Sequence, residues 1–175
     1  MVGVADPVET GLIASLGRPG GNVTRLAVPF EQLVAKHIEL LKEINPALAH
    51  VAIFWNPELE VPAPRRERLE AAVRRLAVRF DVVEAQTAQD LAKAFSGPAV
   101  GRADALLLPE YSVLVRKEIS LFALGRRLPT VGSDRFFVQG GGFMSYGPDP
   151  TFVAERAAAY TGKLLRGAKA QDMPV

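Results

Sequence analysis

Three carboxylates, Glu58, Glu60 and Glu110, fall in segments that read as loops after apolar runs. Paired carboxylates can serve as general acid and general base when their surroundings hold them in different protonation states. They can equally bind an amine, or stay solvated. Trp55 and Tyr111 each follow an apolar run. An aromatic ring there can stack on a flat ligand or pack as a rim residue. Asn56 and Pro57 continue the first of these loops, and Ser133 and Asp134 add a hydroxyl and a carboxylate after a later run. The other chemical candidates are weaker. Gly140, Gly141 and Gly142 match neither GxGxxG nor a loop ending in GK[ST], and they precede a strand, so a tight turn is the better reading. His37 and His50 lack metal-ligand spacing and default to packing or surface roles. No serine lies in a G-x-S-x-G elbow. There are no cysteines, which excludes disulfides, thiolate chemistry and Cys-ligated metals. No cofactor and no metal is expected.

The elements that would carry these residues alternate strand and helix. Residues 51–54 are a short apolar run stopped by Asn56-Pro57. Residues 30–44 read as an amphipathic helix with Leu33, Val34, His37, Leu41 and Ile44 on one face. A second helix spans 64–79 with Leu69, Ala72, Val73 and Leu76 inward, and a strand spans 82–85. Thr87 caps a helix to Phe95, with Asp90 at the capping-box position. Residues 105–108 form an all-apolar, central strand. A helix over 112–127 follows, then strands at 129–132 and 143–146. Asp149 caps a last helix, with Pro150 at its first position, and Gly167 ends it.

Five strands alternating with helices predict a doubly wound parallel sheet of order 2-1-3-4-5, with helices on both faces. In such sheets ligands bind outside the carboxyl ends of the strands. That places the loops 56–63, 109–112 and 133–139 around one crevice. Helix amino-termini near Pro64 and Ser112 would favour an anionic group there. Residues 1–29 read differently: a strand remnant, a short helix from Asp6-Pro7 carrying Val8, Leu12, Ile13 and Leu16, a turn at 18–21 and an extended stretch at 23–28. They cannot close a core alone and are expected to belong to something else.

With 175 residues, 49% of them hydrophobic, the chain suits one domain of ordinary size. A net charge of +2, slight and spread along the chain, argues only weakly for a polyanionic partner. The helix over 64–79 carries six arginines, but glutamates lie between them and no aromatics do, so a solvated face is favoured over nucleic acid. No apolar run approaches a membrane span, and Met1 leads straight into VGVADP, so no signal peptide is expected at this start.

Two stretches carry a resemblance. One runs Asp6-Pro7-Val8, Gly11-Leu12-Ile13-Ala14-Ser15-Leu16 and Pro19-Gly20-Gly21-Asn22-Val23-Thr24; the other is Gly141-Gly142-Phe143-Met144-Ser145-Tyr146-Gly147. With Trp55-Asn56-Pro57 between them, the chain resembles the ABC-transporter substrate-binding proteins of the tryptophan/tyrosine-binding type, two-lobed proteins of periplasmic-binding-protein-like type I fold. The resemblance implies residues 1–29 as a remnant of the first lobe plus a hinge crossing, and 30–175 as the Rossmann-like second lobe. It implies a missing first lobe, ABC permease subunits as partners and a periplasmic location. Arg25 departs from the glycine usual after Asn-Val-Thr, and Glu110 stands where aspartate is frequent.

The function expected on this basis is a non-enzymatic solute-binding component of an ABC importer, taking an amino acid or a related aromatic or organic acid. The ligand-binding residues expected in this lobe are Trp55, Asn56, Pro57, Glu58, Glu110, Tyr111, Ser133 and Asp134. Two alternatives stay open: an enzyme of flavodoxin-like topology using Glu58 and Glu110, and a ligand-sensing regulatory domain. A lone lobe exposes apolar crevice surface, which predicts weak solute affinity and a possible homodimer.

Overall fold

The computed structural model describes residue 8, residues 11–24, residue 26, and residues 30–55, 63–85, 87–109 and 113–174. Its main element is a five-stranded sheet of order β2-β1-β3-β4-β5. The strands are β1 (His50–Trp55), β2 (Arg79–Glu84), β3 (Ala105–Leu108), β4 (Thr130–Gly132) and β5 (Met144–Ser145), and every pairing is parallel. The helices are α1 (Phe30–Ile44), α2 (Ala63–Arg74), α3 (Ala88–Ser96), α4 (Pro98–Gly101), α5 (Val113–Arg126), α6 (Arg135–Gln139) and α7 (Pro150–Leu165). The order and the parallel sense are those the sequence predicts.

The apolar runs of β1 and β3 are continuous because both of their faces are covered. Val51, Ile53 and Trp55 of β1 pack with Ala105 and Leu107 of β3 against Val34, Ile38 and Leu41 of α1 and Leu69 and Val73 of α2. The alternate residues Ala52, Phe54, Leu106 and Leu108 face the other way, onto Leu91, Val100, Ile119, Ala123 and Phe137. The period-two alternation of the strands therefore divides one apolar run between two cores. β2 forms one edge and is half exposed, and it carries charged Arg79, Asp81 and Glu84. Charges on an edge strand oppose pairing with another chain.

Several boundaries differ from expectation. On α1 it is Ile38 that is buried, while Ile44 at the last turn is 53% exposed. Helix α2 ends at Arg74, five residues before the expected Arg79, through turn bonds from Leu76 N to Val73 O and from Ala77 N to Arg74 O. Ala77 adopts a positive φ of 54°, with no glycine to announce it. The short helix α6 falls within the expected loop 133–139, and α4 falls in a stretch to which the sequence assigns no element.

The chain separates into two compact units, 29–147 and a pair of terminal segments, Met1–Val28 with Pro148–Val175. Helix α7, placed with 30–175 by the sequence, thus groups with the amino-terminal residues. In that smaller unit Ile13, Thr24 and Met173 are buried. The Thr24 hydroxyl donates to the Met173 carbonyl at 2.9 Å, joining the two ends of the chain. The helix expected from Asp6-Pro7 is absent among the described residues. Residues 11–17 are turns and bends, Gly11 sits at φ +69°, and Leu12 and Leu16 are exposed. A positive φ ends a helical path, and of Val8, Leu12, Ile13 and Leu16 it is Ile13 alone that is buried. Asp149 does cap α7, its carboxylate accepting from Thr151 N at 2.8 Å. No helix among the described residues is long and apolar enough to cross a membrane.

Candidate functional site at the carboxyl edge

All five strands point the same way, so Trp55, Leu108, Gly132 and Ser145 end at one edge of the sheet. Helices α2 and α5 begin after the ends of β1 and β3, which brings their amino-termini to that edge. Of the expected ligand-binding residues, Asn56, Pro57, Glu58, Glu110 and Tyr111 lie outside the described residues, as does the extended stretch at 27–28. The acid-base pairing of Glu58 with Glu110 lies outside them too.

The three remaining candidates are placed. Trp55 is 6% exposed and belongs to the core between the sheet, α1 and α2. Ser133 turns its hydroxyl onto the Pro109 carbonyl in a short hydrogen bond. It therefore ties the end of β4 to the end of β3. Asp134 caps α6 and accepts from Phe137 N at 3.2 Å. An Asp at this position satisfies one of the free N–H groups of the first turn. Its sequence signal was present: Asp134 precedes the apolar Phe136-Phe137-Val138, and Gly140 follows. A five-residue helix is too short to show a period, which is why it read as loop.

Glycines shape this edge by absence of bulk. The Phe137 ring is held between Gly132 and Gly142, and a Cβ on either would fall on its atoms. Gly140 to Gly142 form a turn, with Gly141 at φ +98° and Gly142 N donating to Phe137 O at 3.0 Å. That is the turn the sequence implied. The Thr130 hydroxyl, 2% exposed, accepts from Phe143 N at 2.9 Å and holds the approach to β5.

His37 of α1 joins the same edge. It is fully buried, and Nε2 lies 2.6 Å from the Tyr146 carbonyl oxygen. A carbonyl only accepts, so Nε2 carries the proton. Burial pushes its pKa below the ordinary histidine value, against the raising effect of that hydrogen bond. The Tyr146 ring meets the His37 ring edge-on, at 88°. Tyr146 was not among the expected site residues. Its partner lies 109 positions away, a separation that no spacing rule detects.

The amino edge of the sheet carries a charged cluster. Asp81 lies 3.0 Å from His50 Nε2 and 3.1 Å from Arg102. Asp104 accepts from Ala49 N and His50 N, each at 2.9 Å. These residues fasten the starts of β1 and β3. On the arginine-rich helix, Arg68 pairs with Glu31 and Arg74 with Glu70. A cavity of about 390 Å³ lined by Glu70, Arg74, Phe80, Asp81 and Val82 lies along the outer side of β2, away from the strand ends. Among the described residues there is no cluster of side chains able to hold a metal ion.

The family model for ABC transporter substrate binding proteins matches residues 1–175. The chain belongs to that family. A tyrosine-binding protein of Clostridioides difficile strain R20291 is 27% identical over 179 residues, covering all of this chain and 50% of the relative. The chain thus spans about half the length of the curated relative it matches. Among solved structures, an ABC domain from Streptococcus pneumonia in complex with L-Trp superposes with a TM-score of 0.80 at 20% identity, over 99% of this chain and 59% of that one. A conserved domain protein from Vibrio cholerae O1 biovar eltor superposes at 0.79 with 24% identity, over 97% and 57%. Both share the fold. The family is one of substrate-binding proteins, and the fold that carries this chain's parallel order 2-1-3-4-5 is shared with both solved structures.

Proposed function

We propose that the chain supplies one wall of the solute site of an ABC importer, and that the solute is an aromatic amino acid or a related small organic acid. The observation that carries this reading is the family match along the full 175 residues, with relatives named for tyrosine binding and for a complex with L-Trp. The wall is the carboxyl edge of the sheet. There Glu110 or Glu58 takes the ligand amine, while backbone amides at the starts of α2 and α5 take its carboxylate. Pro57 and Tyr111 form the apolar part, Asn56 adds an amide, and Trp55 backs them from the core. Ser133 and Asp134 act from behind by fixing the loop after β4, since the hydroxyl and the carboxylate already hold backbone groups.

In this reading the second wall comes from a first lobe, of which 1–29 hold the tail and a crossing, while 30–175 hold the second lobe. ABC permease subunits receive the loaded protein, which works in the periplasm or outside the cell. The isolated chain pairs into a homodimer through apolar surface. A thermal-shift screen of amino acids and small aromatic acids tests the reading, run on this chain and on the longest protein its gene encodes. Stabilisation of about 2–3 kcal/mol at a hundredfold excess over Kd supports it. No shift with any amino acid in either sample overturns it.

A further inference from the structure

His37 occupies a place where an apolar residue would pack at less cost. It is fully buried, and Nδ1 has no hydrogen-bond partner among the described residues. Native structures keep few such atoms, and each calls for a reason. What His37 supplies is one bond, from Nε2–H to the Tyr146 carbonyl at 2.6 Å. Tyr146 is fastened at its other backbone group as well, its N–H donating to Gly132 O at 3.0 Å. The next residue, Gly147, lies so close to Ser133 that a Cβ would fall on the Ser133 carbonyl oxygen. Ser133 in turn donates its hydroxyl to Pro109 O. The backbone around Tyr146 is thus tied to α1, to the end of β4 and, through Ser133, to the end of β3.

The side chain on this fixed backbone is not buried. Tyr146 is 47% exposed at the carboxyl end of β5, its ring braced edge-on by the His37 ring at a centroid distance of 6.3 Å. A rigid aromatic ring left open at a ligand-binding edge offers apolar area at low entropic cost.

We propose that Tyr146 is a specificity-determining residue of the solute site and that His37 is the residue that positions it. This rests on the solute-binding reading above and narrows it. A flat side chain stacks on the Tyr146 ring, so aromatic amino acids are preferred to aliphatic ones. His37 does not touch the solute; it sets the backbone from which the ring projects.

The test is titration calorimetry on the longest protein the gene encodes, with L-tryptophan and L-leucine as probes. Tyr146→Ala is expected to weaken L-tryptophan about tenfold and L-leucine less than about threefold. Tyr146→Phe keeps the ring and the preference. His37→Leu removes the bond to Tyr146 O and narrows the ratio of the two affinities. His37→Gln, which can offer an amide N–H to the same carbonyl, restores it. A purely structural role for His37 would lower stability and leave that ratio unchanged. Tyr146→Ala with the wild-type ratio overturns the proposal while the solute-binding reading stands. A wild-type protein that binds neither probe overturns both.

Discussion

The two edges of the sheet are fastened by different chemistry. At the amino edge the locks are charged: Asp104 holds two backbone N–H groups, and Asp81 sits between His50 and Arg102. At the carboxyl edge, apart from the Asp134 carboxylate that caps α6, the locks are neutral: a serine hydroxyl on Pro109 O, a buried histidine on Tyr146 O, and glycines closed around Phe137. Charged locks at a solvated edge are tolerant, because water and salt take over when one partner leaves. Neutral locks in a packed edge have no such substitute. The edge proposed to receive the ligand is therefore held mainly by shape and by uncharged hydrogen bonds.

That contrast can be broken by substitution. The largest effect is expected from Gly142→Ala, which forces the new methyl group onto the Phe137 ring. Overpacking of this kind costs about 2–3 kcal/mol, read as a lower urea midpoint with an unchanged slope. At the opposite edge, Asp104→Ala removes an ionised acceptor from two backbone donors. It should cost about 1–2 kcal/mol by the same measurement, less than a fully buried group because water reaches the site. If Asp104→Ala proves the more damaging of the two, the contrast fails.

Acid sharpens the comparison further. Burial holds the folded His37 pKa below its ordinary value of 6.5, so the unfolded chain binds the proton more readily. Stability from this group is complete above the ordinary value and is lost as pH falls below it. Urea midpoints taken from pH 7.5 down to pH 5 should fall more steeply for wild type than for His37→Gln (the pH limits are about one unit either side of the histidine range). Equal slopes would remove His37 as the source. The smallest effect belongs to Arg102→Ala. Its guanidinium is 60% exposed against Asp81, and an exposed pair contributes at most about 0.5 kcal/mol, vanishing at high salt.

The sheet was legible because β1 and β3 are unbroken apolar runs, which only a doubly covered parallel strand requires. The bounds of α1 and the capping box of Thr87 with Asp90 were legible too, since each is written in contiguous residues. Where structure departs from sequence, the cause is tertiary. Leu76 continues the helical stripe of α2, but Ala77 turns the chain so that β2 can begin at Arg79 beside His50. Ile38 takes the core position given to Ile44 because the sheet covers only the middle of α1. At the carboxyl edge Ser133 and Asp134 were found by their position after an apolar run, but their hydrogen bonds to Pro109 and Phe137 were not. The His37–Tyr146 contact joins two segments that only the fold brings together.

Trp55 has a practical consequence. It is the one indole in the chain, and it ends the inner strand β1 at 6% exposure, sealed in apolar surroundings. Excited selectively, it gives emission from a single known place, blue-shifted while the sheet is intact and moving to the red when water enters. The protein thus carries its own optical probe at the edge where a solute would arrive, and no label has to be introduced to watch it.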